Sequence, residues 1–187
     1  MANEDFSAVP TQPAATLPGV SDGFERLWTP HRLAYVSGER PSAEAGEGCP
    51  FCVAPQREDQ DGLMVRRGET CFVVMNLFPY NPGHLLVCPY RHVSAYVDLT
   101  AQETTEFTAL TKQAIAALAA ASSPHGYNIG MNQGAVAGAG VAAHLHQHVV
   151  PRWGGDANFL PIIGRTKALP ALLEDSRTLI AEAWPTD

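Results

Sequence analysis

Histidines occupy three alternate positions in this chain, His144, His146 and His148. In an extended strand successive side chains point to opposite faces, so the three imidazole rings are expected to share one face of a strand. A glycine-rich turn precedes them over residues 134–141. Titratable groups gathered beside a turn with little side-chain bulk are typical of a functional site. A half-buried strand with a polar face is the alternative interpretation of the pattern.

This arrangement of histidines suits nucleophilic chemistry on phosphorus. A neutral imidazole is nucleophilic near neutral pH, and its attack on a phosphoryl group splits one displacement into two through a covalent phosphoramidate intermediate. The chemistry requires one ring nitrogen to be free while the other is held as a hydrogen-bond donor, for example by a backbone carbonyl. Charge that develops on the phosphoryl oxygens must be met by fixed donors, and the N–H groups of a glycine-rich turn can approach an anion closely.

Two of the four cysteines form a C-x-x-C pair, Cys49 and Cys52. A structural zinc ion needs four ligands in a tetrahedron, and a C-x-x-C turn supplies two of them, so the partners must come from elsewhere in the chain. Redox chemistry and inert thiols remain alternatives, although the pair lacks the W-C-G-P-C context of thioredoxin-like proteins. Cys71 and Cys88 fall in predicted strands and are interpreted as ordinary buried residues.

Two motifs in the chain resemble those of a known family. The run from His144 to Val150, H-L-H-Q-H-V-V, resembles the histidine triad motif. The run from Asn76 to Pro89, N-L-F-P-Y-N-P-G-H-L-L-V-C-P, resembles the second signature of the same histidine triad (HIT) superfamily of nucleotide hydrolases and transferases. The run R-W-G-G-D-A-N-F further downstream resembles the actinobacterial branch that includes diadenosine tetraphosphate phosphorylase.

The resemblance implies roles for three histidines. His146, in the middle of the triad, corresponds to the nucleophile that carries the nucleotide. His148 corresponds to the third histidine, which contacts the phosphate and helps to order the nucleophile. His84, which follows Pro82-Gly83, matches a histidine that supports the site and does not react itself.

The resemblance also implies a nucleotide site with Asn76 at the position that hydrogen-bonds the ribose hydroxyls. The other expected nucleotide-binding residues are Gln133, Gly138, Ala139, Gly140, Val141, Val74 and Leu86. Gly140 departs from the family pattern, because relatives commonly place serine or glutamine there and the phosphorylase branch tends to have Gly-Ser in this turn. Whether water or orthophosphate is the second acceptor is therefore open. Gln147 replaces the usual apolar residue, and we expect it to have a packing or dimer-contact role.

Zinc-containing bacterial relatives imply the missing ligands of the C-x-x-C pair. They use a histidine three residues after a proline, here His92, together with the first histidine of the triad, here His144. A structural zinc site of Cys49, Cys52, His92 and His144 would tie the N-terminal loop to the triad while His146 and His148 remain free.

Three functions fit these residues. The first is an enzyme that transfers a nucleoside monophosphate from a dinucleoside polyphosphate, such as diadenosine tetraphosphate, to His146 and then to water or orthophosphate. The second resembles the Hint branch and hydrolyses AMP conjugates such as phosphoramidates. The third is a regulator that binds a nucleotide without turnover. The resemblance further implies a homodimer.

Composition limits the other possibilities. The 187 residues, 45% hydrophobic and 17% charged, suffice for one well-packed core and are few for two. A net charge of −7 and a pI near 5.4 argue against a broad surface for nucleic acid or anionic membranes. No apolar run reaches the length of a membrane span and the N-terminus does not resemble a signal peptide, so a cytoplasmic location is expected.

Hydrophobic periodicity predicts the elements that position these residues. We expect a disordered or loosely docked tail over 1–22 and a single domain with a C-terminal extension over 23–187. The predicted elements before the long helix are a turn and possible strand over 23–36, a loop over 37–48, a hairpin of 62–67 with 71–77, and a strand at 84–88. A helix from Thr100 to Ser122 follows, because Thr100 and Glu103 are spaced as a capping box and an apolar stripe is formed by Phe107, Leu110, Ala114, Ala117, Leu118 and Ala121. Residues 127–133 should pair antiparallel with the histidine strand. A terminal helix with Pro170 in its first turn is predicted from one apolar face of Leu169, Leu172, Leu173, Ser176, Leu179 and Ile180. An α+β domain on an antiparallel sheet of about five strands follows.

Overall fold

The computed structural model describes residues 48–156 and 171–186. Several expectations lie outside these residues: the tail over 1–22, the turn and strand over 23–36, most of the loop over 37–48, the end of the R-W-G-G-D-A-N-F run, and Leu169 with Pro170. The single domain expected over 23–187 stays a prediction.

In the described part of the chain, five antiparallel strands form one sheet, as predicted. They are β1 (Met64–Arg67), β2 (Cys71–Met75), β3 (Leu85–Pro89), β4 (Gly126–Met131) and β5 (Gln147–Arg152), in the spatial order β1-β2-β3-β5-β4. Every residue of β2 and β3 is buried, because these central strands are covered on both faces. The expected hairpin forms from β1 and β2, and its register shifts between Met64 and Arg66.

Within residues 48–156 and 171–186, three α-helices accompany the sheet: α1 (Pro50–Val53), α2 (Ala101–Ser122) and α3 (Leu173–Glu182). The predicted capping box starts α2, since Thr100 accepts from the N–H of Glu103 and the Glu103 side chain accepts from the N–H of Thr100. The helix ends at Ser123, whose φ of 46° is left-handed, and Pro124 follows. The core against the sheet contains most of its apolar stripe: Phe107, Leu110, Ala114, Ala117 and Leu118.

The sheet has two different faces. One face packs on α2 through alternate side chains, among them Val73, Val87 and Val149. The opposite face carries a second apolar cluster of Met64, Phe72, Val74, Leu86 and Cys88, against which Phe51 of α1 is packed. Leu86 of this cluster is paired with His148 of β5. Because directly opposed residues of paired strands point to the same side, His148 lies on the second face.

The histidine strand begins later than the sequence predicts. Only His148 lies within β5, which starts at Gln147, so the expectation of three histidines inside one strand is wrong. If the pairing with β3 continued, Leu145 would lie opposite Pro89. Proline has no backbone N–H to donate, so the ladder of hydrogen bonds stops there. The backbone N–H of Leu145 donates instead to the carbonyl of Val93 at 2.6 Å.

The C-terminal helix is only partly as expected. Leu173 and Ile180 pack against the core on the α2 side of the sheet, together with Trp184 just beyond the helix. Leu172 and Leu179, which the apolar stripe was expected to bury, are 72% and 51% exposed. The burial of Trp184 was not predicted. Among the described helices, none is long and apolar enough to cross a membrane.

Candidate active site and metal cluster

Two cysteines and two histidines from three parts of the chain meet at one point. The ligand atoms of Cys49, Cys52, His92 and His144 all lie within 4.8 Å of one another. Cys49 Sγ is 3.3 Å from His144 Nδ1, and Cys52 Sγ is 3.3 Å from His92 Nδ1. The cysteines are brought together by α1, in which the N–H groups of Cys52 and Val53 donate to the carbonyl of Cys49. These are the four residues that the resemblance implied.

The ring of His144 is oriented so that one nitrogen faces the cysteines. Its Nε2–H donates to the carbonyl of Pro89 at 2.9 Å, which leaves the lone pair of Nδ1 toward Cys49 and Cys52. Burial lowers the pKa of His144 to about 4, so the ring is neutral near pH 7. Two thiols and two imidazoles at this separation match the ligand set of a tetrahedral, thiophilic metal ion.

His146 has the opposite tautomer from His144, with its ring proton on Nδ1. His146 Nδ1–H donates to the backbone carbonyl of His144 at 2.8 Å, so Nε2 keeps its lone pair. The ring is 5% exposed and burial lowers its pKa, which favours the neutral form. Phe51, between the two cysteines, lies with its ring centroid 4.9 Å from that of His146 and 5.5 Å from that of His144. The result is an oriented imidazole with one unprotonated nitrogen.

His84 and His148 form a directed pair. The N–H of Tyr80 donates to His84 Nδ1 at 3.0 Å, so the proton of the neutral His84 ring is on Nε2. That Nε2–H donates to His148 Nδ1 at 2.9 Å. Burial lowers the pKa of His148 to about 4, so its own proton is on Nε2 near pH 7. The centroids of the His146 and His148 rings are 5.1 Å apart, so a ring with an Nε2–H donor neighbours a ring whose Nε2 has a free lone pair.

Aromatic side chains enclose these rings, and sequence reasoning did not single them out. Tyr80 stacks on His148 with 19° between the ring planes and 5.5 Å between centroids, and its ring is 4.7 Å from that of His84. Phe51 contacts the rings of the other two triad histidines, His144 and His146. Two signals in the sequence could have identified them: Phe51 lies between Cys49 and Cys52, and Tyr80 lies four residues before His84.

The expected nucleotide-binding residues lie around this group. Val74 is paired with Leu86, and Leu86 with His148, so these three side chains share the sheet face of the second apolar cluster. Asn76 follows β2 directly. Its Oδ1 accepts from the N–H of Phe78 at 3.0 Å, and its Nδ2 is 3.2 Å from His84 Nδ1.

The glycine-rich turn is partly helical. Residues Ala135–Ala137 form a single 3₁₀ turn, in which the N–H groups of Ala137 and Gly138 donate to the carbonyls of Gly134 and Ala135. Gly134 and Gly138 have φ of +82° and +87°, a conformation that favours glycine. Ala139 is 4% exposed, whereas Gly140 is exposed and Val141 is half-buried.

Two polar residues have partners that the sequence did not reveal. The Oε1 of Gln133 accepts from the N–H of Tyr96 at 2.8 Å, so in this structure Gln133 joins the loop before α2 to the glycine-rich turn. Gln147 points away from the histidines and donates to Thr111 Oγ1 at 2.8 Å, which is a packing contact between β5 and α2.

Comparison with known proteins places these features in context. Residues 57–155 match the model of the HIT domain family. The chain is 49% identical over 170 residues to "AP-4-A phosphorylase" of Mycobacterium tuberculosis, with 89% of this chain and 87% of the relative covered. A "Bis(5'-nucleosyl)-tetraphosphatase [asymmetrical]" of Schizosaccharomyces pombe is 43% identical over 81 residues, 42% of each chain. Among solved structures, a zinc-bound histidine triad family protein of Mycobacterium smegmatis is similar with a TM-score of 0.57 and 25% identity, and 72% of this chain and 91% of that chain are covered.

Proposed function

Because the chain belongs to the HIT domain family, we propose that it cleaves dinucleoside polyphosphates of the diadenosine tetraphosphate type through a nucleotide covalently attached to His146. One observation carries the proposal. A hydrogen bond to the backbone leaves Nε2 of His146 with its lone pair, a hydrogen bond from His84 leaves the proton of His148 on Nε2, and the centroids of the two rings are 5.1 Å apart. The similarity to a protein named AP-4-A phosphorylase supports the choice of substrate.

The reaction proceeds in two displacements. His146 Nε2 attacks the phosphorus next to one nucleoside, a P–N bond forms, and the P–O bond to the rest of the substrate breaks. From diadenosine tetraphosphate the group that leaves is ATP, and AMP stays on the histidine. In the second displacement an acceptor attacks the same phosphorus and the P–N bond breaks, so water yields AMP and orthophosphate yields ADP. The Nε2–H of His148 donates to the phosphoryl oxygens as charge develops on them.

The surrounding residues bind the nucleotide. Asn76 hydrogen-bonds the ribose hydroxyls, and Val74 and Leu86 supply apolar contact from the sheet face that carries His148. The phosphates lie against Gly138, Ala139, Gly140, Val141 and Gln133. Within the described residues, the N–H groups of Gly140 and Val141 have no hydrogen-bond partner in the protein, which supports their use as donors to an anion.

Zinc is the metal that we assign to the Cys49, Cys52, His92 and His144 cluster. The ligand set and the short distances between its atoms fit a tetrahedral structural site. A bound zinc ion would favour the thiolate forms of the cysteines and join α1 to the triad. Because His146 is not among the ligands, its Nε2 remains available for the reaction. The homodimer and the cytoplasmic location stay predictions.

The proposal is tested by product analysis with diadenosine tetraphosphate, with and without orthophosphate. Rapid quenching followed by mass spectrometry of the intact chain should detect one AMP on His146. His146→Ala should lower turnover by several orders of magnitude, as removal of a covalent nucleophile does. Its thermal midpoint and metal content, measured beside those of the wild type, show whether the variant is folded. Near-normal activity of His146→Ala would refute the mechanism, and tight AMP binding without turnover of any nucleotide would favour the regulator.

A further inference from the structure

A carboxylate outside the triad connects the end of β5 to the turn that carries His84. Asp156 Oδ2 accepts from Asn81 Nδ2 at 2.6 Å, from Arg152 Nε at 2.6 Å and from the N–H of Trp153 at 3.1 Å, and Oδ1 accepts from Arg152 Nη2 at 2.9 Å. The Asp156 side chain is only 11% exposed. Its neighbour Arg152 holds the pKa of this carboxyl well below its usual range, so the group is charged near pH 7. The carboxylate therefore bridges segments 75 residues apart.

Asn81 belongs to the turn that delivers His84 to the site. Its Nδ2 also donates to the carbonyl of Pro151 at 3.0 Å, and its own carbonyl accepts the N–H of His84 at 3.2 Å. Gly83, between them, has a φ of +76°, and a Cβ at this position would be 3.1 Å from Leu118. On its C-terminal side His84 continues the β2–β3 ladder, because its carbonyl accepts the N–H of Asn76 at 2.9 Å. On its N-terminal side the turn is held through Asn81, so Asn81 fixes the direction from which the chain enters His84.

We propose that Asp156 and Asn81 are positioning residues that keep His84 in register with His148. They act through the backbone of the Asn81–His84 turn. Only the effect on catalysis rests on the function proposed above; the effect on ring orientation does not.

A shift of His84 should change the tautomer of His148. His148 presents Nε2–H to the site because its Nδ1 accepts from His84 at 2.9 Å. If the turn shifts, this bond lengthens, and His148 can place its proton on either nitrogen. A fraction of molecules then presents a lone pair where the phosphoryl oxygens need a donor, because the two tautomers of an isolated imidazole are close in energy. The loss should appear mainly in the chemical step.

Two variants and one control test the proposal. Asn81→Ala removes the link and leaves the Asp156–Arg152 pair in place, and Asp156→Asn weakens the same link from the other end. Asp59→Asn is the matched control, because it breaks a carboxylate–arginine pair with Arg67 at 2.8 Å that is exposed and uses none of these residues. The ring ¹⁵N–¹H spectrum of full-length protein labelled at histidine reports the tautomer of His148, and steady-state kinetics with diadenosine tetraphosphate separate kcat from KM.

In both test variants the His148 signals should move from those of one tautomer toward an average of the two. The value of kcat should fall by about ten- to a hundredfold, the usual range for contacts that orient a functional imidazole, with a smaller change in KM. The control should match the wild type in both measurements. Unchanged His148 signals in the two variants would overturn the proposal, as would a change of equal size in Asp59→Asn. If the wild type turned over no nucleotide, the proposed function would fail, while the spectra would still decide whether Asp156 and Asn81 position the pair.

Discussion

Replacing Glu103 by glutamine should destabilise the protein at neutral pH, and the deficit should disappear in acid. The Glu103 carboxylate is 5% exposed and accepts from Arg91 Nε at 2.9 Å, from Arg91 Nη2 at 2.6 Å and from the N–H of Thr100 at 2.7 Å. The bonds from Arg91, with those from Thr100, hold the pKa of Glu103 at about 2, below its ordinary 4.5. A depressed pKa stabilises the fold fully above the unfolded value, and this contribution is lost as pH falls through the folded value.

The size of the effect follows from the same contacts. A change in pKa from 4.5 to about 2 corresponds to roughly 3 kcal/mol at pH 7. The Arg91 side chain is 46% exposed, and water screens such a pair, so about half of that value, roughly 1–2 kcal/mol, is expected. For a chain of this length the thermal midpoint should fall by about 2–8 °C. Because Arg91 precedes His92, the substitution should also weaken retention of the metal.

Urea unfolding at pH 7 and in steps down to pH 2.5, followed by circular dichroism, measures the difference between the variant and the wild type. Taking the difference cancels the acid sensitivity that both chains share. Asp59→Asn again serves as the control, because its pair with Arg67 is exposed on both sides and should contribute less than about 1 kcal/mol. A Glu103→Gln chain as stable as the wild type at pH 7, or a deficit that stays constant down to pH 2.5, would refute the reasoning.

Two further predictions concern the metal and the acceptor. Cys52→Ser should reduce bound zinc from about one ion per chain to a trace and lower the thermal midpoint, whereas the control Cys71→Ala should keep its zinc. Elemental analysis of protein prepared without added metal measures the zinc content of both variants. A zinc-free wild type of normal stability would contradict the assignment. In the wild type, hydrolysis to AMP should be at least comparable with phosphorolysis to ADP at millimolar phosphate, because Gly140 has no hydroxyl for the acceptor. Gly140→Ser should raise the ratio of ADP to AMP by roughly tenfold or more. Gly140 is not among the positive-φ glycines of the described residues, so its backbone conformation is compatible with a serine. ADP as the dominant wild-type product would show that backbone donors suffice.

Local patterns in the sequence were enough to predict most elements. The capping box at Thr100 and the stripe from Phe107 to Leu118 predicted α2 correctly, because capping and burial of one helical face depend on residues three or four apart. The β1–β2 hairpin was also predicted from a local pattern, two short β-rich runs separated by a turn. The C-terminal helix was predicted less well, since Leu179 has the right spacing for burial and yet faces solvent. Which apolar side chains of a short helix are buried depends on where it docks.

The sequence also identified, through its motifs, the chemical groups of the site. Alternating histidines and a C-x-x-C pair indicate imidazole chemistry and metal binding, and the resemblance proposed the same four ligands that the fold brings together. These are properties of residue type and spacing, which the sequence contains in full.

Tertiary structure alone decided what each ring nitrogen does. His144 is oriented by Pro89, 55 residues away, and His148 by His84, 64 residues away, so neither tautomer can be inferred from neighbours in the chain. Pro89 also interrupts the pairing that would have extended β5 to His144. The link from Asp156 to Asn81 likewise joins distant segments. The sequence by itself determined which groups could react. The tertiary structure determined which ring nitrogen is free, because the proton of a neutral imidazole lies on the nitrogen that faces a hydrogen-bond acceptor, and these acceptors come from distant parts of the chain.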